Sequence, residues 1–303
     1  MNKQARGLWL IMLLLLVALT TGGVGAWADM AGTVAPAAPA AGDESAMPPL
    51  EGGTPKQPDG LATTSPGAAE QLGPNFQDSP NAPVINVWYG AIQQAGLRGD
   101  PQKWVNILGN VSSAVPISSL TYTINGGPPQ NLSLGPDNLR LAQAGDFNIE
   151  LDYTDLLVGS NQVVITALDN ALSSSQAVVT VNYSAGPTWS PPQNVTVNWG
   201  AATKVTDVAQ VVDGQWTIDN GAARPTVLDF DRLLAIGDLS WRDYTVTVPI
   251  TILSVDPSGY TGPSNGPGVG VMVRWQGHYW AENDTQPRTG WRRLVALAWY
   301  RWK

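Results

Sequence analysis

FNIELDYTDLLVGSNQVVITALDNALSSSQAVVTVNY, residues 147–183, decides the fold. Phe147, Ile149 and Leu151 alternate with Asn148, Glu150 and Asp152, and the same period of two returns in Val163, Ile165 and Ala167 and in Ala177, Val179, Val181 and Tyr183. Side chains two apart share one face of a strand, so each run reads as a strand with one buried and one solvated face. Upstream, Leu120, Tyr122 and Ile124 repeat the pattern. Asn125-Gly126-Gly127-Pro128, Gly135-Pro136-Asp137 and Gly159-Ser160-Asn161 supply turn chemistry between the runs. About seven short strands in roughly 100 residues predict an antiparallel sandwich over residues 83–186, with Trp104 plugging its core.

Residues 187–303 continue in the same manner. Residues 211–218 and 232–236 are strand candidates. Residues 243–255 give the clearest pattern, with Tyr244, Val246, Val248, Ile250 and Ile252 on one face. In residues 268–275, Val269, Val271, Val273 and Trp275 stand opposite Met272 and Arg274. Residues 294–302 are apolar on both faces, which predicts a central or covered strand. No helical period of useful length follows residue 83, so the expected class is all-β.

The N-terminal third reads differently. Lys3 and Arg6 precede an unbroken apolar run at residues 8–19, and Ala26-Trp27-Ala28 offers small residues for cleavage. That is the layout of a secretory signal peptide over residues 1–28; an uncleaved segment would be the only membrane contact. Residues 29–82 are rich in Pro, Ala and Gly without hydrophobic periodicity, and read as a disordered linker. The expected address is secreted or cell surface.

Composition removes several chemistries. There is no Cys and one His, His278, so disulfides, thiolate nucleophiles and multi-His metal sites are excluded. The net charge of −8 argues against nucleic acid as a partner. Trp outnumbers Phe by 13 to 3, as expected of a folded, aromatic-rich body rather than a disordered chain.

Two family resemblances follow from particular stretches. Leu156-Leu157-Val158-Gly159-Ser160-Asn161-Gln162-Val163, then Ala167-Leu168-Asp169 and a Val-rich strand, resembles the last hairpin of bacterial immunoglobulin-like and fibronectin-III-like modules. Asp213-Gly214-Gln215-Trp216, Leu239-Ser240-Trp241-Arg242-Asp243-Tyr244 and Gly268-Val269-Gly270-Val271-Met272-Val273-Arg274-Trp275 resemble the concanavalin A-like, laminin-G-like jelly rolls. Together they imply an Ig-like β-sandwich followed by a concanavalin-like jelly-roll sandwich. The second has too few strands for two full sheets, so residues 187–303 are expected to be a truncated domain, or one completed by β-edge pairing with another chain.

The residues expected to carry function lie in RWQGHYWAENDTQPRTGW, residues 274–291. Tyr279, Trp280 and Trp291 offer flat faces to a sugar ring, while Arg274, Gln276, His278, Gln286 and Arg288 offer directional bonds to hydroxyls. The competing reading makes the tryptophans core and the polar groups loop ligands. Six basic residues in 274–303 could meet an anionic polysaccharide or dock on the protein's own acidic part. The expected function is carbohydrate binding or adhesion without catalysis, the partner being a glycan or another surface protein. A structural surface protein with no glycan is one alternative, and a glycoside hydrolase built on Asp229 and Asp231 is another. That pair lacks a third acid and a Glu. No cofactor is expected. Asp169-Asn170 and Asp256-Pro257-Ser258-Gly259 are oxygen-rich turns that could take Ca²⁺, but they match no EF-hand loop.

Overall fold

The period-two runs build strands where their alternation is strictest. The computed structural model describes residues 81–185, 194–229, 231–255, 267–279, 286–290 and 296–302. Residues 1–28, read as a signal peptide, and nearly all of 29–82, read as a linker, lie outside them. The described residues fall in one compact unit, to which Phe76–Lys303 belong. They hold strands and three short 3₁₀ turns, and no α-helix.

Strands β1 (Val84–Val87), β2 (Ile92–Ala95), β3 (Trp104–Ser112), β4 (Ile117–Ile124), β5 (Gln130–Asn131), β6 (Asp146–Asp152), β7 (Gly159–Asp169) and β8 (Ser174–Tyr183) form two sheets. One has the order β2-β8-β7-β4-β5, the other β1-β3-β6. All pairings are antiparallel except β2 with β8. Their facing sides share one core: Val105, Ile107, Phe147 and Ile149 from the smaller sheet meet Leu120, Tyr122, Val163, Ile165 and Val179 from the larger. Burying each large apolar side chain contributes roughly 1.5–3 kcal/mol. The expected turn at Asn125 and Gly126 forms with both residues at positive φ, whereas Gly159-Ser160-Asn161 opens β7 instead of preceding it.

The smaller sheet is covered on both sides. Along β6, Asn148 and Glu150 are each 1% exposed, as buried as the apolar residues between them. Trp104 is also buried, but on the outer face of β3. Its indole N–H donates to the His278 carbonyl at 2.5 Å. It therefore seals the seam with the later residues instead of plugging the sandwich core. Val105, whose side chain points the opposite way, takes the core position.

Beyond residue 194 the strands pair in twos: β9 (Gln210–Asp213) with β12 (Leu233–Ala235), β10 (Trp216–Asp219) with β11 (Ala222–Pro225), and β13 (Gly268–Val273) with β14 (Ala296–Arg301). The expected single strand over 211–218 breaks at Gly214, whose φ of +76° turns the chain between two ladders. Residues 243–255 form no strand. Tyr244, Val246 and Val248 pack against a second core that includes Leu108, Val211, Trp216 and Leu234, while Ile250, Ile252 and Leu253 are exposed. Alternation there gives an extended chain with one apolar side packed on that core and no strand of its own among the described residues. Met272 and Trp275 share a third cluster with Val212 and Leu233. Arg274, at φ +62°, shifts the phase that would have put them on opposite faces. β14 is neither central nor covered: Leu297 is 40% and Tyr300 63% exposed.

Candidate functional site

The outer face of β3 and β6 carries a buried charged network. The loop before β6 is shaped by Asp137, whose carboxylate accepts the N–H groups of Leu139, Arg140 and Leu141 at 2.8 Å each. That turn delivers Arg140 inward. Its Nη1 donates to Glu150 Oε1 at 2.8 Å and its Nε to Asp213 Oδ1 at 2.6 Å, with all three side chains fully buried. Arg140 also donates to the carbonyls of Arg288 and Val212. Asn148 Nδ2 reaches the Val212 carbonyl at 2.8 Å. Glu150 comes from β6 and Asp213 from the end of β9, so one guanidinium joins the two parts of the chain.

Burial alone would raise the Asp213 carboxyl, but Arg140 and His278 outweigh it and hold the group below the ordinary carboxylate value. Burial likewise opposes the charge on Arg140, and Asp213 and Glu150 more than offset it. Asp231 shows the opposite balance. Burial, with Asp213 adding to it, raises its carboxyl to about 6 against the pull of His278, Arg140 and Arg232.

Of the six described residues expected to contact ligand, three turn inward: His278, Gln286 and Arg288. His278 is fully buried, its Nε2 3.1 Å from Asp213 Oδ2 and its Nδ1 3.1 Å from the Gly290 carbonyl. Both ring nitrogens thus face oxygens of the protein itself. Gln286 accepts the Glu150 N–H at 2.5 Å and donates to the Tyr122 hydroxyl at 2.9 Å. Arg288 caps Glu150 Oε2 through its backbone N–H at 2.8 Å, and its guanidinium lies 3.7 Å from the centroid of Trp104. So part of the basic tail docks on the protein's own acidic strand. Gln276 is half-buried, with its carbonyl accepting the Lys103 N–H. Arg274 and Tyr279 are exposed. Trp280 and Trp291 lie outside the described residues.

The acidic pair does not share a strand face. Asp229 is 3.6 Å from Arg232, and Asp231 sits at φ +42° outside any strand. Asp169 Oδ1 closes its own turn by accepting the N–H groups of Ala171 and Ser173, and residues 256–259 lie outside the described ones. Among the described residues no three His, Asp or Glu side chains cluster as metal ligands would.

Beside the network lies a cavity of about 260 Å³, lined by Asn86, Trp88, Asn110, Gln143, Asp146, Asn148, Gln215, Arg140 and Arg232. Five amide side chains and the Trp88 indole contribute to this wall, beside Leu108, Leu141, Phe147 and Val227. The side chains of Asn86 and Gln143 are exposed and make no hydrogen bond to another described residue. Asp146 is anchored by Asn110 Nδ2 at 2.8 Å and by the Gln143 N–H at 2.9 Å, and burial raises its carboxyl. Nothing in the sequence points to this cavity, because its residues come from five separate stretches and each reads locally as strand or turn.

No family model matches the chain, and no curated protein matches it. Among solved structures, the endo-beta-1,4-mannanase from Thermotoga petrophila aligns over 36% of this chain and 21% of its own, at 8% identity and a TM-score of 0.27. A likeness that slight fixes neither the fold nor the function.

Proposed function

We propose that the protein is a secreted or cell-surface, non-catalytic β-protein that binds carbohydrate in the cavity beside Arg140. In this reading an Ig-like sandwich (83–186) follows the leader and spacer and precedes a jelly-roll-like domain (187–303). The observation that carries the binding role is the cavity wall itself. Sugars are recognised by planar donors and acceptors arranged around hydroxyls, with an aromatic face against the ring's C–H groups. Asn86, Gln143 and Gln215 supply the first and Trp88 the second. Mature protein screened on a glycan array should bind a defined set, and Asn86→Ala with Gln143→Ala should weaken binding about tenfold without altering the fold, each lost hydrogen bond being worth roughly 0.5–1.5 kcal/mol. An array with no signal, or affinity indifferent to both changes, overturns the reading.

A second reading, a structural surface protein, draws on β14. Its one partner among the described residues is β13, and it exposes Leu297 and Tyr300. Concentration-dependent self-association in sedimentation, with a blank glycan array, would favour it.

A further inference from the structure

A second cleft, of about 340 Å³, opens away from the cavity just described. The residues lining it come mainly from two stretches, 92–101 and 204–211. Its interior is mainly apolar: Ala95, Val105, Ala209, Val211 and Ile236 are all at least 92% buried, and Asn106, Tyr153 and Gln210 add polar groups to the lining. At its rim Ile92 and Leu97 are 63% and 54% exposed, high for large apolar side chains. Each stretch also brings one exposed cation, Arg98 from the first and Lys204 from the second. Neither is in an ion pair with any described residue. Asp207, the acid nearest in sequence to Lys204, spends its Oδ2 on the backbone N–H groups of Thr203 and Lys204.

The turn that carries Arg98 is fixed in place. Gly96 has φ +73°, and a Cβ there would lie 2.1 Å from the Ser184 carbonyl oxygen; Gly99 has φ +82°, and a Cβ there would lie 2.8 Å from Asp238 Oδ2. The Gly99 N–H closes the turn on the Gly96 carbonyl. Asp100 then anchors it, donating its N–H to Asp238 Oδ2 at 3.0 Å and accepting the Leu239 N–H at 2.9 Å. The cation is thus presented by a rigid loop, not by a free one.

We propose that this cleft binds a small amphipathic anion, a carboxylate carried on an apolar body about the size of a phenylalkyl group. The volume of about 340 Å³ suits a ligand of that size. Arg98 and Lys204 beside a largely apolar hollow select the sign of the headgroup, with Asp207, the acid that shares the lining, turned to backbone N–H groups. The site is separate from the glycan cavity, so the two proposals stand or fall independently.

Calorimetric titration of the mature protein with 4-phenylbutyrate, 4-phenylbutan-1-ol and 4-phenylbutylamine tests it. The carboxylate should bind, the amine should not, and the alcohol should be weaker by about tenfold. Arg98→Gln combined with Lys204→Gln should bring the carboxylate down to the alcohol's level, and added salt should do so in part, because exposed charges are screened. Both residues are exposed, so the variant keeps its fold; an unchanged circular dichroism spectrum checks this. Equal binding of all three compounds, no binding at about 10 mM carboxylate (a Kd weaker than about −2.7 kcal/mol), or affinity unmoved by the double variant overturns the proposal.

Discussion

Asp231 concentrates the electrostatic tension of the seam in one residue. Its backbone is left-handed, its carboxyl is pushed up to about 6, and Asp213 is among the groups pushing it. A carboxyl whose folded value lies above its unfolded value of 3.8 binds more protons when folded. Stability from this group therefore falls as pH rises from about 4 to 6, and above that the full cost of the buried charge is present. Asp231→Asn removes the charge and keeps the shape, and Asn tolerates positive φ better than most residues. The variant should be more stable than the parent at pH 7, by at most about 3 kcal/mol, and level with it near pH 4. Asp100 and Asp146 are also raised, but they titrate alike in both proteins, so the difference isolates Asp231. Urea unfolding at the two pH values measures this; a gain that is the same at both would show that the charge is not its source.

Strands are legible from alternation where an apolar face packs on a second sheet, and less so elsewhere. β4, β6, β7 and β8 follow the pattern residue by residue, because their apolar faces meet a second sheet. The pattern could not tell a solvated polar face from a satisfied buried one. Asn148 and Glu150 look like surface residues until Arg140 and Asp213 arrive from 10 and 65 positions away. The same gap hid most of the site. His278, Gln286 and Arg288 were singled out for chemistry that faces a ligand, and they face Asp213 and Glu150 instead. Gly214 shows what a single residue adds to an element boundary. It parts β9 from β10 at φ +76°, and a Cβ on it would lie 2.2 Å from Arg232 Cδ. Gly126 has nearly the same φ, +74°, with nothing within 4 Å. Gly126→Ala should therefore cost about 1 kcal/mol for backbone strain alone, and Gly214→Ala about 2–3 kcal/mol because the buried Arg232 must also move. Parallel denaturant titrations decide it, and equal losses would mean that Arg232 shifts freely.

At the scale of the whole unit, the seam makes residues 83–186 and 194–302 depend on one another. Leu108 on β3 belongs to the second core, and Arg140 is neutralised by one carboxylate from each part. An outer sheet face lined with Asn106, Asn148 and Glu150 is tolerable in the interior only while those partners are present, since an unpaired buried charge costs several kcal/mol. Arg140→Met should accordingly lower stability by about 3–5 kcal/mol. Arg224→Met, which breaks the exposed pair with Asp219, should cost at most about 1 kcal/mol. The larger effect has a second signature. In the parent protein, tryptophan fluorescence should report the same unfolding midpoint as far-ultraviolet circular dichroism, because the tryptophans lie mainly in and beyond the seam while most ladders lie before it. Without the guanidinium, the eight-strand sandwich keeps its own core and the later ladders lose their anchor, so the fluorescence midpoint should move to lower denaturant than the dichroism midpoint. Coincident midpoints in Arg140→Met would place the coupling in the apolar contacts around Leu108 and Trp104 and not in the charged network.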